Sequence, residues 1–188
     1  MSNVRVIGLT CVLALVLGLA AGCKLYETDK ANKLVDAANV SIKDANDRAD
    51  KGATKLQEME TAAMAAEDEE TWTKWQTEAK GIIADLEKAR DGYTDAGKKF
   101  LEASKLKLQD KFKEYLDAKG QEMTKRGEMA DALIGEPRAL MDTSNPHDFQ
   151  TKATDAVKKV QNLKKEADDL EAKADKIYKE NQAIFKKS

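Results

Sequence analysis

Few side chains in this sequence of 188 residues are able to carry out chemistry, and their spacing matches no known type of reaction centre. His147 is the only histidine, so a hydrolytic triad, a zinc site or a Glu-x-x-His di-iron site would lack partners. We expect it to be a polar residue in the first turn of a helix. Because the sequence also has no glycine-rich phosphate loop, haem-attachment motif or nucleophile elbow, it predicts no catalytic residue, no cofactor and no metal site.

Two groups of acidic residues have only a superficial similarity to cation sites. The segment that starts at Asp44 fails as a calcium loop, because Arg48, Ala49 and Lys55 stand where Asp or Asn, Gly and Glu are required. Residues 67–70 are four consecutive acids, which would point in different directions on a helical turn. They suit a turn followed by a helix N-terminus, where the helix dipole favours negative charge.

The two tryptophans, Trp72 and Trp75, follow this acidic turn at a spacing that places them on one helical face. Such a pair is more often part of a core, here the core at the end of a helical bundle. The alternative role is an aromatic contact for a partner protein or for an apolar ligand.

Cys23 ends an apolar run that has the length of a signal peptide. Arg5 supplies a positive charge before the run, and residues 6–19 are almost entirely apolar. Residues 19–23, Leu-Ala-Ala-Gly-Cys, resemble the lipobox of bacterial lipoproteins. The resemblance implies that residues 1–22 are a signal peptide that is removed, and that Cys23 becomes the new N-terminus with diacylglycerol on its sulfur and fatty acids such as palmitate. The alternative is an uncleaved spanning helix, but that would need about 20 apolar residues.

The resemblance also has implications for location and partners. In enterobacterial lipoproteins, an Asp directly after the lipidated cysteine favours retention in the inner membrane, and this sequence has Lys24 at that position. The resemblance therefore implies the outer membrane, facing the periplasm, if the source is Gram-negative. Cys11 lies in the predicted signal peptide, which leaves Cys23 without an internal disulfide partner. Lysines and acids alternate along the chain without long single-signed blocks, so we expect no nucleic-acid partner. The expected partners are the membrane, through the lipid, and another envelope protein.

Apolar and small residues then repeat alternately every three and every four residues, which is typical of the seam of a coiled coil. Three such seams occupy residues 35–63, 72–100 and 149–184. Only 2 Pro and 10 Gly are present to interrupt helices. The sequence therefore predicts an all-α fold, an elongated antiparallel bundle of three long helices in residues 31–188, after a tether at 23–30.

The predicted helices cover about residues 31–66, 70–134 and 146–186, so their lengths do not match. The second would be about 100 Å long and the others about 60 Å. If it ran back antiparallel to a first helix anchored at Cys23, its last part would enter the bilayer. We therefore expect a break between Lys105 and Gly120, which would give four long helices.

The sequence also marks where helices end and begin. Residues 135–137, Gly-Glu-Pro, are expected to end the second helix, and residues 138–144 to form a loop. Asn145 then suits an N-cap, Pro146 the first helical position, and Asp148 the acidic position of a capping box. Asn181 is the only polar residue in the third seam.

These observations favour a non-enzymatic, membrane-anchored lipoprotein of the bacterial cell envelope that acts as a scaffold, spacer or docking protein. The alternative is a helical bundle that binds an apolar small ligand near Trp72 and Trp75. An enzyme is the third and least supported class, since the acids and bases are scattered along predicted helix surfaces.

Overall fold

The computed structural model describes residues 27–65 and 68–185, and these residues form a helical bundle without strands. The predicted all-α class is confirmed. The six helices are α1 Thr28–Met64, α2 Glu69–Ser104, α3 Asp110–Leu133, α4 Gly135–Met141, α5 Pro146–Glu180 and α6 Gln182–Phe185.

The four long helices pack in chain order, α1 against α2, α2 against α3, and α3 against α5. Neighbours are antiparallel. Ser41, in the first half of α1, donates a hydrogen bond of 2.6 Å to Asp95 in the last turns of α2. Lys55, late in α1, pairs at 3.9 Å with Glu78, early in α2. Short connections between successive helices produce this arrangement.

The predicted seams of α1 and α2 lie in the core, whereas the third seam is only partly buried, with Ala156, Val160 and Leu170 half-buried. In α1 every predicted position is buried except Ala49, which is half-buried, and in α2 only Trp75 is half-buried. Alternation by three and four residues keeps one stripe facing the neighbouring helix, which is why the pattern located the core correctly. The buried seam residues of α1 are Val35, Ala38, Ile42, Ala45, Gly52, Leu56, Met59 and Ala63.

Two glycines let α2 and α3 approach closely, and the helices run through both of them without interruption. A Cβ at Gly97 would lie 3.0 Å from the carbonyl oxygen of Gly120. A Cβ at Gly120 would lie 2.6 Å from Cγ of Leu101, a distance that real Cβ atoms do not adopt. These glycines therefore serve packing, and the helix break lies elsewhere.

That break lies at residues 105–109, within the interval where it was expected. Leu106 and Leu108 turn inward there and are 8% and 4% exposed. The break leaves α2 with 36 residues against 37 in α1, so the two helices have almost the same length.

The prediction of a loop at residues 138–144 is wrong for residues 138–141, which are helical. α3 ends at Leu133, but α4 starts at Gly135 and continues to Met141. Pro137 is in the first turn of α4, where a backbone N–H has no partner within the helix, so proline is tolerated. The loop is thus shortened to residues 142–145.

The predicted start of α5 is confirmed. Asn145 Oδ1 accepts a hydrogen bond of 3.0 Å from the backbone N–H of Asp148, and Asn145 Nδ2 donates to the Asp148 carboxylate at 2.8 Å. Pro146 occupies the first turn. At the start of α2, Asp68 caps the helix by accepting from the backbone N–H of Thr71 at 2.6 Å.

Candidate functional sites at the two ends of the bundle

The proximal end of the bundle is defined by Glu27, the α2–α3 connection and α6. The backbone N–H of Glu27 donates to the carbonyl of Lys107 at 2.9 Å, and the backbone N–H of Lys107 donates to Glu27 Oε2 at 3.1 Å. Cys23 lies outside the described residues, four positions before Glu27. Four residues span at most about 14 Å, so a lipid on Cys23 would attach at this end of the bundle.

Aromatic rings close the proximal core. Phe185 of α6 contacts Phe112 edge-on, with ring centroids 5.6 Å apart and an interplanar angle of 88°. It also lies 5.1 Å from the ring of Tyr115 and 5.0 Å from that of Tyr178. Such pairs contribute about 0.5–1.5 kcal/mol each beyond burial. They hold the last described helix against the start of α3.

The distal end contains the α1–α2 turn, α4 and the start of α5, and Trp72 is part of its core. The Trp72 side chain is 6% exposed, and its Nε1–H donates to the carbonyl of Thr143 at 2.9 Å. Its ring meets Phe149 edge-on at 6.4 Å. Trp75 is half-buried, with Lys74 Nζ 5.9 Å from the ring centroid. The two tryptophans therefore differ in environment, and Trp75 is the more accessible.

A buried acid at the distal end was missed by the sequence analysis. Glu136 is 3% exposed, and its Oε2 has no hydrogen-bond partner among the described residues. Burial, followed by the hydrogen bond and the charge of the neighbouring Glu60, raises the pKa of Glu136 to about 9. The carboxyl group is thus protonated at neutral pH. Its position between Gly135 and Pro137 suggested only a helix end.

A second group of buried charges joins α3 to α5. Arg126 donates to Glu122 on its own helix at 2.8 Å and to Glu171 of α5 at 3.1 Å. Glu122 also pairs with Lys119 at 2.5 Å. Although burial opposes it, the charge of Glu122 raises the pKa of Arg126 overall. Arg126 with Glu171 is the contact of this group that crosses between the helices, because Lys119, Glu122 and Arg126 all lie on α3.

Polar contacts also link α1 to α2. The Asp85 carboxylate is 9% exposed and lies 2.9 Å from Lys51 Nζ and 3.1 Å from Arg48 Nη1. The hydrogen bond from Lys51 lowers the pKa of Asp85 most, with Arg48 adding to the effect. Nearby, the buried Tyr93 hydroxyl donates to Asn46 Oδ1 at 2.7 Å, and burial raises the pKa of Tyr93 to about 12.

The other singled-out residues have local roles. His147 is exposed in the first turn of α5. Asn181 ends α5 and donates to the carbonyl of Ile177 at 2.8 Å. The segment from Asp44 to Lys55 is helical, and of the acidic residues 67–70, Glu67 lies outside the described ranges. Within the described ranges no group of three or more His, Cys, Asp or Glu side chains is arranged to hold a metal ion.

One open surface depression of about 610 Å³ lies on the first turns of α2, where Glu69, Glu70, Thr73, Lys74 and Thr77 line it and neither tryptophan does. One groove of about 300 Å³ lies between α2 and α3, lined by residues that include Arg90, Thr94, Thr124 and Asp131. Arg90 is already paired there with Asp131 at 3.4 Å. The charged residues that line the groove, Arg90, Glu128, Asp131 and Lys159, balance in sign.

Comparisons of the chain with protein-family models, with curated proteins and with solved structures found no match. Among the helices that the structure describes, none combines the length and the apolar character needed to cross a bilayer. The predicted signal peptide lies outside the described residues.

Proposed function

We propose that this chain is a lipoprotein of the bacterial cell envelope, anchored through Cys23, and that its helical bundle is a non-enzymatic scaffold, spacer or docking protein. One observation carries the proposal. The lipobox-like residues 19–23 stand directly before the bundle, whose first helix begins at Thr28. A lipid on Cys23 would leave only a short tether between the membrane and a folded rod.

The dimensions of the bundle support a spacer. A helix of 37 residues, such as α1, spans about 55 Å at 1.5 Å per residue. With α1 upright on its anchor, the α1–α2 turn would be held about that far from the membrane surface.

The internal polar contacts support a rod of fixed shape. Asp85 with Lys51 joins α1 to α2, and Arg126 with Glu171 joins α3 to α5. Sliding one helix along its neighbour would take these partners away from the buried carboxylate of Asp85 and the buried guanidinium of Arg126, which is costly. A fixed register suits a protein that presents a partner site at a set distance.

The alternative of an apolar ligand near Trp72 and Trp75 requires the distal core to open. Trp72 would have to give up its hydrogen bond to Thr143 and its ring contact with Phe149. The partner that we propose is instead an envelope protein that docks on the exposed distal surface, which includes Glu70 and Thr73 of α2.

Replacing Cys23 with Ser tests the anchor. The variant should lose acyl labelling and leave the membrane fraction, because a serine oxygen cannot form the thioether. Cys11→Ser is the matched control, since it changes the other cysteine and should leave labelling intact. If the wild-type protein in membranes has the intact mass of an unlipidated chain that begins at Met1, the proposal is refuted.

A photo-crosslinking residue tests the docking role in intact cells. Placed at Thr73, it should capture one envelope protein reproducibly, and placed at Lys80, further along α2, it should capture less. Equal, diffuse crosslinking from both positions would argue against a distal docking site.

A further inference from the structure

The α2–α3 connection collects lysines at the proximal end. Residues 105–113 contain four lysines and one aspartate. Lys105 and Lys107 are exposed, whereas Leu106 and Leu108 between and after them are buried. The alternation therefore turns the apolar side chains into the core and leaves the ammonium groups in solvent.

Lysines of α1 lie at the same end. Lys30 is exposed in the first turn of α1, which begins beside Lys107. Lys30, Lys105 and Lys107 form no ion pair with any residue of the described ranges. Lys111 is paired with Glu114 at 2.7 Å, and Glu27 also lies at this end. The exposed acids Asp29, Glu102 and Asp110 lie at this end too, so the excess of positive charge is confined to residues 105–113.

The distal end has the opposite character. Exposed acids gather in the α1–α2 turn and the start of α2, where Lys74 is the only base among the described residues. The α4–α5 loop and the first turn of α5 add further acids. These exposed acids are Glu58, Asp68, Glu69, Glu70, Asp142 and Asp148. These six acids outnumber the exposed bases beside them, Lys74, Arg138 and Lys152, so the excess charge at the distal end is negative, whereas that of residues 105–113 is positive.

We propose that the proximal lysines, chiefly Lys105 and Lys107, contact the anionic phospholipid headgroups of the membrane that holds the anchor. This inference rests on the proposed lipid at Cys23, since the lipid brings this end of the bundle to the bilayer. Charges at the surface interact strongly within a Debye length of about 8 Å, and the tether is short enough to allow that distance.

The contact would set the orientation of the rod. A lipid on Cys23 fixes one point and leaves the tilt free, whereas a basic tip beside the anchor and an acidic tip far from it favour the upright state on a negative surface. Acyl chains combined with basic residues are also a more stable attachment than acyl chains alone. Because Leu106 and Leu108 are buried in the core, the contact is with headgroups and not with the hydrocarbon interior.

Lysine acetylation of the full lipidated protein, reconstituted in vesicles, tests the contact. Phosphatidylcholine vesicles with and without phosphatidylglycerol are compared. We expect Lys105 and Lys107 to be acetylated several-fold more slowly on the anionic vesicles, and Lys74 at the distal end to react equally on both. High salt should remove the difference. Equal acetylation of the two ends on anionic vesicles would overturn the inference.

A paired substitution tests the orientation. Lys105→Gln with Lys107→Gln should shift the balance between upright and tilted rods roughly 25-fold towards tilted, at about fivefold per lysine near an anionic surface. Energy transfer from a dye at Thr73→Cys to a headgroup dye should then increase. Lys80→Gln with Lys88→Gln, which removes the same charge from exposed positions along α2, should leave the transfer unchanged. Unchanged transfer in both pairs would contradict the proposal.

The two proposals fail differently in these experiments. If the wild-type protein does not float with vesicles of either composition, the lipid anchor at Cys23 is wrong. If it floats with both and its proximal lysines remain fully reactive, the anchor stands and the headgroup contact is wrong.

Discussion

The two ends of the bundle close the same kind of core in different ways. At the proximal end, rings from three helices meet around Phe185, and the charged groups lie outside. At the distal end, the short helix α4 covers the core and brings Glu136 into it. The first closure is made by ring contacts and the hydrogen bonds between Glu27 and Lys107, whereas the second depends on the protonation of a carboxyl group. The ends should therefore respond differently to pH.

The largest expected effect is the loss of a ring at either end. Phe112 at the proximal end and Phe149 at the distal end are 5% and 3% exposed, so replacing either with Ala should destabilise the protein by about 3–5 kcal/mol. Urea unfolding measures this cost. Amide exchange then separates the ends, with faster exchange in α6 for Phe112→Ala and in α4 for Phe149→Ala. Identical exchange patterns would show that the bundle opens only as a whole.

Glu136→Gln should stabilise the protein, and more so as pH rises. The folded-state pKa of Glu136 is about 9 and the ordinary value is 4.5, so the folded protein binds a proton that the unfolded chain releases between these values. Its contribution to stability is therefore complete below about pH 4.5 and is lost as pH rises towards 9. Glutamine has nearly the same shape as protonated glutamate and is neutral without binding a proton. We expect a gain of about 1–3 kcal/mol at pH 8.

The measurement is the free energy of unfolding of both proteins from pH 4 to pH 9. The wild-type value should decline with pH more steeply than that of Glu136→Gln, and the two should converge near pH 4. Glu58→Gln, an exposed acid on the same stretch of α1 as Glu60, is the control and should leave the wild-type slope unchanged. Parallel slopes for Glu136→Gln and wild type would show that Glu136 is not held neutral.

The smallest effects concern the helix starts at the two ends. Asn145 caps α5 at the distal end, and Asn145→Ala should cost about 1 kcal/mol. At the proximal end Gln109 precedes α3 without a side-chain cap, so Gln109→Asn should add about 0.5 kcal/mol. Thermal unfolding of both variants checks the opposite signs. A loss at Gln109 would mean that the exposed glutamine has a contact of its own.

Three of the long helices, α1, α2 and α5, could be predicted because each is amphipathic with a regular period. One stripe of small and apolar residues must face a neighbour, and that constraint is local enough to be visible in the sequence. The start of α5 at Asn145 was also visible, because capping needs particular side chains at particular offsets, whereas the acidic run indicated the start of α2 without identifying Asp68 as its cap.

Other features depend on the tertiary structure and left no periodic signal. Pro137 suggested a helix end, since proline breaks most helices, but here it stands in the first turn of a new one. Glu136 resembled a surface acid, because the neighbouring sequence does not indicate which part of the core α4 packs against. The proximal lysines were overlooked for a related reason. The lysine-rich run 105–113 stands in the sequence, but its position beside the start of α1 follows only from the fold.

The break at residues 105–109 makes the number of long helices even. An odd number would leave the last helix at the far end from the first, but four bring the chain back to where it began, so that Glu27 and Phe185 belong to the same end. A circularly permuted chain, opened in the α1–α2 turn and rejoined at the proximal end by a short linker, would keep every helix pair in place. By the same topology, a sequence inserted in that turn would be displayed at the distal end, and a tag fused after Phe185 would emerge at the proximal end.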